Sequence, residues 1–316
     1  MVIDRIRSEL ASIPEVAAWP EMVRLVERAS DPRENPCWEY PILACQAVGG
    51  TMEQALPGAA AVFGLLYSIH LVDDLLDRDP AGLYHELGEG TVANLALAFQ
   101  AAAALVIERA DVSPERRAAI HAGLAEISLA TAYGQSLDAG SIRGEEGYWR
   151  VVEAKTPPLF KGALYLGALL GGAPAEVARG LERVGFQLGK SIQISDDLKD
   201  ALEKPAKPDW HRKSNNLPIL YAITADHPQR ERFLELLSRI EETPALVEAQ
   251  EILVRSGAVS FCAYHMVQLH KRARESLGGV PLADPRPIAG LLEHHVKPLK
   301  GLFKVIGVES PEELLA

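Results

Sequence analysis

The sequence has few cysteines, few aromatic residues and a deficit of basic charge. Its 316 residues include 3 cysteines and 6% aromatic residues. An odd cysteine count without framework spacing excludes a disulfide-stapled secreted domain, and no pair has the spacing of zinc ligands. Lys and Arg number 32 against 43 Asp and Glu, which gives a net charge of −11. Because such a field repels phosphate backbones and the sequence shows no basic face, we expect no nucleic-acid partner.

Long uninterrupted hydrophobic runs are also scarce. The two richest runs, 59–72 and 92–107, are shorter than a membrane span and are interrupted by polar residues. The N-terminus lacks the continuous apolar stretch of a signal peptide. We therefore expect a soluble, cytoplasmic protein without a membrane span, in which both runs are buried core helices.

What the sequence does contain is helical periodicity. Hydrophobic residues make up 48% of the chain, Ala is abundant, and runs of β-branched residues are few. These features predict an all-α fold of roughly ten or more helices, by usual helix and loop lengths, in a single domain over residues 1–316. The clearest predicted helices span 16–30, Pro114–Asp138, Ala175–Leu202, 230–240 and 259–277.

An acidic cluster follows the first apolar run and consists of Asp73, Asp74 and Asp77. On a helix, Asp73 and Asp77 share one face, and Asp74 lies about 100° round the axis from Asp73. Carboxylates this close repel one another, and Mg²⁺ relieves such repulsion while it also binds phosphate oxygens. We therefore predict that all three are metal ligands.

The same pattern recurs in a second acidic cluster, Asp196, Asp197 and Asp200, after a long amphipathic helix. Either cluster alone also fits a solvated acidic helix end. Two copies favour a pair that faces each other across a helix bundle and clamps one diphosphate through several Mg²⁺ ions. We predict that these three aspartates are metal ligands as well.

Three further residues are candidates for catalysis. Lys155 and Thr156 precede a helix break at Pro157, where both can donate to phosphate oxygens. A fixed ammonium stabilises the negative charge that grows on a departing diphosphate. Gln193 lies one turn before Asp197 and binds either phosphate or a carboxylate, although a buried structural amide fits it equally.

At this point the chain resembles the all-trans isoprenyl diphosphate synthases (polyprenyl synthetases). The resemblance rests on four motifs in the expected order: Asp73-Asp74-x-x-Asp77, Gly134-Gln135-x-x-Asp138, Lys155-Thr156 and Gln193-Ile194-x-Asp196-Asp197-x-x-Asp200. It implies an all-helical bundle around a deep central cavity, usually a homodimer. The implied chemistry is Mg²⁺-assisted loss of diphosphate from an allylic prenyl diphosphate, followed by attack of an alkene on the carbocation. We expect three Mg²⁺ ions per active site, and substrate contacts from Gln135, Asp138, Arg78 and Lys213.

One part of the family pattern is missing. The family binds its second substrate, isopentenyl diphosphate, through a Gly-Gly-Lys-Arg segment and an Arg-Arg-Gly segment. The first reads here as residues 34–41, without Lys or Arg, and the second as residues 79–84, with only Arg78 nearby. A diphosphate binds poorly in an acidic protein without such partners. We therefore expect prenyl transfer to an acceptor other than isopentenyl diphosphate. The alternatives are a class I terpene cyclase, an ordinary chain-elongating synthase, a non-catalytic partner subunit and a phosphohydrolase.

Overall fold

The computed structural model describes residues 2–28, 37–140, 144–212 and 215–305, with the side chains at 28, 212, 298 and 300–305 excepted. Every regular element in these ranges is helical, as predicted. The α-helices α1 to α17 span, in chain order, Val2–Ala11, Pro14–Ala17, Pro20–Arg28, Tyr40–Ala47, Met52–Asp77, Tyr84–Leu87, Glu89–Ile107, Pro114–Asp138, Gly144–Lys155, Pro157–Leu170, Ala175–Leu202, Asp209–Arg212, Leu217–Thr224, Arg230–Leu236, Thr243–Arg255, Ala258–Gly278 and Arg286–Val305.

Most of the predicted helices are confirmed, and one is wrong. The helices predicted over Pro114–Asp138 and Ala175–Leu202 are α8 and α11 to the residue. The single helix predicted over 16–30 is instead two helices, α2 and α3, with α3 beginning at Pro20. Proline lacks a backbone N–H and disfavours helical geometry in the residue before it, so the first helix ends before Trp19. Residues 29 and 30 lie outside the described ranges.

The chain forms two compact units. Unit one comprises Met1–Ala132, Pro158–Phe186 and Glu275–Gly290, and unit two comprises Tyr133–Pro157, Gln187–Arg274 and Leu291–Ala316. The prediction of a single domain stays a prediction. The first aspartate cluster belongs to unit one, and the second belongs to unit two. That the two clusters face each other therefore also stays a prediction.

Helix α5 forms the core of unit one and ends in the first aspartate cluster. It begins with a capping box, in which the Gln54 backbone N–H donates to the Thr51 hydroxyl and the Thr51 N–H donates to the Gln54 side chain. Its middle packs closely on α7. A Cβ added at Gly64 would lie only 3.1 Å from the Phe99 carbonyl oxygen, which shows how near the two helices are. Because the apolar body of α5 packs tightly, the position of its polar C-terminal end is fixed.

Helices α5 and α7 are also longer than the apolar runs on which the sequence prediction relied. Both are long and apolar enough to cross a membrane, with mean hydropathy of 1.7 and 1.8 over their most apolar stretches. Of those stretches, 72% of the residues in α5 and 44% in α7 are buried. The burial of α5 matches the expected core helix, and the absence of a membrane span stays a prediction.

Unit two is built around an apolar core that includes residues on both sides of Asp197 in α11. Tyr148 and Val152 of α9, Ile194 and Leu198 of α11, and Trp210 belong to this core. Helix α8 enters the unit at its last turns and lies against the end of α9. A Cβ added at Gly134 would overlap the backbone of Lys155 there, so only glycine permits the contact. This close approach places the last turn of α8 beside the Lys155-Thr156 segment.

Candidate active site

The first cluster concentrates negative charge at the end of α5. Asp73, Asp74 and Asp77 are each half-buried, and the last turn of α5 carries no basic residue. Burial raises the pKa of Asp74 to about 6, and repulsion from the neighbouring aspartates adds to the rise. The carbonyl end of a helix is itself negative, which increases the unfavourable charge. A bound cation would relieve this repulsion.

Arg78 terminates the helix that carries this cluster. It adopts a left-handed conformation with φ of 53°, and its backbone N–H donates to the Asp74 carbonyl oxygen. The Arg78 side chain is exposed. The residue therefore caps α5 beside the aspartates, and its predicted contact with substrate stays a prediction.

In the second cluster, two aspartates have raised pKa values and access to solvent. The Asp196 side chain reaches solvent, yet burial by the surrounding protein and repulsion from Asp200 raise its pKa to about 6. Burial, followed by repulsion from Asp209, raises the pKa of Asp200 to about 6. Carboxylates with raised pKa values bind a proton or a cation more readily than ordinary surface aspartates do.

Asp197 has a different environment from its two neighbours. It is only 2% exposed, and its Oδ2 accepts hydrogen bonds from the Tyr148 hydroxyl at 2.7 Å and the Leu217 backbone N–H at 2.9 Å. Its Oδ1 accepts from Gln193 Nε2 at 2.8 Å. Burial still outweighs these donors and raises the pKa of Asp197 to about 7. With three protein donors in place, Asp197 fits a positioning role, and its predicted role as a metal ligand stays a prediction.

Gln193 connects Asp197 to the Lys155-Thr156 segment. While its amide nitrogen donates to Asp197, its Oε1 accepts a hydrogen bond from the Thr156 hydroxyl. Both ends of the Gln193 amide therefore bond to protein side chains, as the alternative of a structural amide predicts. The predicted catalytic residues Thr156 and Gln193 lie together, and the buried carboxylate fixes their orientation.

Lys155 forms an ion pair with the last residue of α8. Its Nζ lies 2.7 Å from Asp138 Oδ2, and the Asn215 side chain donates to Asp138 Oδ1 at 2.6 Å and to the Asp138 carbonyl oxygen at 2.9 Å. Gln135 is buried one turn earlier in α8. Lys155 and Asp138 therefore lie together, with Gln135 one turn away in α8. The substrate contacts predicted for Gln135 and Asp138 stay predictions. Lys213 lies outside the described residues.

Sequence reasoning missed three residues of this network, namely Tyr148, Asn215 and Asn216. Asn216 is fully buried; it caps α13 and donates to the Asp197 carbonyl oxygen at 2.8 Å. The Asn216-Leu217-Pro218 order is a recognisable helix start and would have identified this cap. Tyr148 had no comparable signal, because an aromatic residue on an amphipathic helix is ordinarily core.

The described residues do not form a complete metal site by themselves. Within the described ranges, no three His, Cys, Asp or Glu side chains come close enough together to hold a metal ion. An ion at either cluster would need further oxygen ligands from water or from a bound phosphate group. Mg²⁺ is commonly held in this way, by one or two carboxylates together with waters and substrate oxygens.

The structure defines a class of protein that is helical throughout its described elements and carries one aspartate cluster in each unit. The polyprenyl synthetase family model matches residues 41–253, about two thirds of the chain. The chain belongs to the polyprenyl synthetase family.

Relatives with assigned names match part of the sequence. The dimethylallyltranstransferase of Mycobacterium tuberculosis is 30% identical over 189 residues, which are 58% of this chain and 58% of that protein. The geranylgeranyl diphosphate synthase of Methanosarcina mazei is 32% identical over 170 residues, 50% of this chain and 52% of that protein. The chain thus matches somewhat more than half of the length of these curated relatives.

Solved structures establish the fold over nearly the whole chain. A polyprenyl synthetase from Streptomyces coelicolor is 22% identical with a TM-score of 0.78, over 92% of this chain and 95% of that one. A polyprenyl synthase from Caulobacter crescentus, complexed with calcium and isoprenyl diphosphate, is 23% identical with a TM-score of 0.76, over 96% of this chain and 93% of that one. The all-α fold predicted from the sequence is confirmed.

The hydrogen bond from Tyr148 to Asp197 provides a test of this network. We expect Tyr148→Phe to lower the free energy of unfolding by about 1–3 kcal/mol, because a buried carboxylate loses one of its donors. We also expect weaker binding of Mg²⁺-pyrophosphate, because Asp197, which orients Gln193, is held by one donor fewer. Urea unfolding and calorimetric titration measure the two effects. The matched control is Tyr264→Phe, at a side chain that is 59% exposed; equal effects in both variants would contradict the role of Asp197 as a positioning residue.

Proposed function

We propose that the protein is a Mg²⁺-dependent prenyltransferase that ionises an allylic prenyl diphosphate and transfers the prenyl cation to an acceptor other than isopentenyl diphosphate. Membership of the family supports the ionisation step. The choice of acceptor rests on the two segments, residues 34–41 and 79–84, at which the family has basic residues and this chain does not.

Those segments provide apolar contacts in place of positive charge. The described part of the first, which begins at Cys37, buries Cys37, Trp38 and Tyr40 in unit one. The second places Pro80 and Ala81 where the family has two arginines. A second diphosphate needs charge-assisted hydrogen bonds to bind, and the described side chains at these positions offer none. Its binding would also oppose the net charge of −11.

The carboxylates of both clusters fit magnesium. They are hard oxygen ligands, and at Asp74 and Asp196 neighbouring carboxylates contribute to the raised pKa, a repulsion that a dication would relieve. Asp73, Asp74 and Asp77 would hold ions in unit one, and Asp196 and Asp200 would hold them in unit two. When bound, Mg²⁺ neutralises charge that develops on the departing pyrophosphate.

The chain's own contribution is to bind and orient the leaving group. Lys155 supplies a fixed ammonium whose position is set by Asp138, and Asp138 is itself oriented by Asn215. Thr156 supplies a hydroxyl whose position is set by Gln193. Donors held in place before the reaction stabilise developing negative charge without reorganisation.

The direct test is a product assay on the purified chain. Incubation with C10, C15, C20 and C25 prenyl diphosphates, with Mg²⁺ and with or without isopentenyl diphosphate, should release pyrophosphate without forming longer prenyl diphosphates. Asp73→Ala should lower this release by about two orders of magnitude or more at unchanged helix content, because a lost metal ligand removes several kcal/mol of charge stabilisation. The matched control is Asp111→Ala, at an exposed loop aspartate of unit one.

Each other product of that assay identifies a different reaction. Longer prenyl diphosphates would show chain elongation and contradict the proposed acceptor. A cyclic hydrocarbon without any added acceptor would identify a terpene cyclase, and the free alcohol alone would identify a phosphohydrolase. No release from any substrate would identify a partner subunit.

The raised pKa values predict how metal binding depends on pH. Asp74, Asp196 and Asp200 titrate near 6 in the folded protein, above the ordinary aspartate value of 3.8. Between pH 4 and 6 the folded state therefore binds more protons than the unfolded chain, and these groups destabilise the fold as pH rises through that window. Above pH 6 these carboxylates are ionised and repel one another, so a bound cation stabilises the folded protein most in that range.

We expect Mg²⁺-pyrophosphate to raise the thermal midpoint strongly at pH 7.5 and much less at pH 5, because protons compete for the same carboxylates. Differential scanning fluorimetry measures this difference. Since pyrophosphate also gains protons in this range, the control is Asp196→Asn, which should show a smaller and less pH-dependent shift. Identical pH profiles in both proteins would mean that these carboxylates do not bind the metal.

The proposal includes a homodimer. Leu97 and Leu105 on α7 and Leu129 on α8 are 67%, 51% and 75% exposed in the isolated chain, and their burial would be favourable. All three belong to unit one. A second copy of the chain would cover them. Sedimentation velocity should give twice the 34.3 kDa chain mass, and a monomer at micromolar concentration would contradict this part.

A further inference from the structure

Two consecutive asparagines stand immediately before α13, and each side chain contacts a different part of the candidate site in unit two. Asn215 is half-buried, and its Nδ2 donates to Asp138 Oδ1 at 2.6 Å and to the Asp138 carbonyl oxygen at 2.9 Å. Asn216 is fully buried, and its Nδ2 donates to the Asp197 carbonyl oxygen at 2.8 Å. This asparagine segment, residues 215–216, therefore bonds both to α8 and to α11.

The Asn215 contacts orient the carboxylate that holds Lys155. An amide nitrogen carries two protons, which suffice for the side-chain oxygen and the main-chain oxygen of Asp138. While Oδ1 accepts from Asn215, Oδ2 of the same carboxylate lies 2.7 Å from Lys155 Nζ. Because rotation of the carboxylate would break these bonds, the position of the Lys155 ammonium depends on Asn215.

Asn216 uses both ends of its amide to fix the start of α13. Besides the Asp197 carbonyl oxygen, its Nδ2 contacts Asp209 Oδ2 at 2.9 Å, and its Oδ1 accepts from the Ile219 backbone N–H at 3.4 Å. Since the nitrogen donates and the oxygen accepts, exchange of the two ends of the amide would break all three bonds. The next N–H along the chain, that of Leu217, is thereby directed to Asp197 Oδ2 at 2.9 Å.

Through the buried carboxylate of Asp197 the same constraint extends to Thr156. Asp197 Oδ1 orients the Gln193 amide, and Gln193 Oε1 accepts a hydrogen bond from the Thr156 hydroxyl. Lys155 and Thr156 are adjacent in sequence, as are the two residues of the asparagine segment. Two neighbouring side chains that the proposed function assigns to the leaving group are thus connected, by separate hydrogen-bond routes, to two neighbouring asparagines.

We propose that the asparagine segment positions both donors to the departing pyrophosphate, and that it couples the position of one donor to that of the other. The inference rests on the proposed function and identifies the residues that hold its leaving-group site in place. Consecutive Cα atoms are only about 3.8 Å apart, so loss of one anchor shifts the backbone that carries the other. Donors fixed before the reaction stabilise developing charge best, and a displacement of about 1 Å costs on the order of a hundred-fold in rate. Asn215 and Asn216 are positioning residues, which act through Asp138 and Asp197.

A double-mutant cycle on pyrophosphate release tests the Asn215 route. We expect Asn215→Ala to lower kcat about ten-fold while KM for the prenyl diphosphate changes less than about three-fold, because the donors act on charge that develops in the transition state. In a Lys155→Met background the same substitution should cost no more than about three-fold, since the residue through which it acts is gone. A loss caused by general destabilisation would be equal in both backgrounds.

The Asn216 route is tested by a substitution that keeps the helix cap. Serine is a good N-cap residue, so Asn216→Ser retains the start of α13 and loses the amide donors. It should lower kcat, and most of that loss should disappear in a Thr156→Val background. Because the segment couples the two routes, Asn215→Ala and Asn216→Ser together should cost less than the product of their single losses.

The matched control is Ser238→Ala, which removes a hydrogen bond from an exposed side chain to the Glu235 carbonyl oxygen elsewhere in unit two. We expect it to leave kcat and KM unchanged. A kcat for Asn215→Ala within about two-fold of wild type, or equal losses in the two backgrounds, would overturn the positioning role. Single losses that multiply in the double variant would overturn the coupling.

A binding measurement distinguishes failure of this inference from failure of the proposed function. If the wild-type chain releases no pyrophosphate from any prenyl diphosphate, the proposed function is wrong. The same cycle is then measured by calorimetry as affinity for Mg²⁺-pyrophosphate, which carries the full charge of the departed group. Affinity losses that disappear without Lys155 or Thr156 would still support the positioning role, whereas equal losses, or no binding by the wild-type chain, would refute it.

Discussion

The buried carboxylate of Asp197 is the interaction on which the architecture of the candidate site in unit two depends. Removal of a charge from water costs several kcal/mol, and only hydrogen bonds in good geometry offset that cost. The donors come from α9, α11 and the start of α13. Displacement of any one of these elements removes one of the donors to the carboxylate, so the hydrogen bonds that stabilise the buried charge also fix the relative positions of the three elements. Through Gln193 that constraint extends to Thr156.

The two aspartate clusters share a sequence pattern and differ in their surroundings. In the second, the middle aspartate is enclosed by protein donors. In the first, the corresponding residue, Asp74, lines a pocket and is surrounded by further aspartates. The pattern Asp-Asp-x-x-Asp specifies helix faces and spacing, but it does not specify what packs against each face. The same motif can therefore serve as an internal support at one position and as an exposed acidic surface at another.

The helical fold was largely predictable, because helices depend on local patterns. Helix periodicity located α8 and α11, whereas the family resemblance selected Lys155, Asp138 and Gln193 without predicting which residues they contact. The break before Pro20 was not predicted, because the amphipathic period continues across this proline although a proline ends the preceding helix. The partners of Asp197 were missed for another reason: Tyr148 and Leu217 lie 49 and 20 residues away in sequence. Contacts of that range depend on tertiary packing, which periodicity in a single sequence does not contain.

Electrostatics connects the acidic clusters with the proposed choice of acceptor. A protein of net charge −11 holds one diphosphate only if cations accompany it, and the clusters provide ligands for them. A second diphosphate would need a second set of positive groups, and the corresponding segments instead contribute Cys37, Trp38 and Ala81. Loss of basic residues at one substrate position therefore disfavours a second diphosphate, while the first is still accompanied by the cations that the clusters bind.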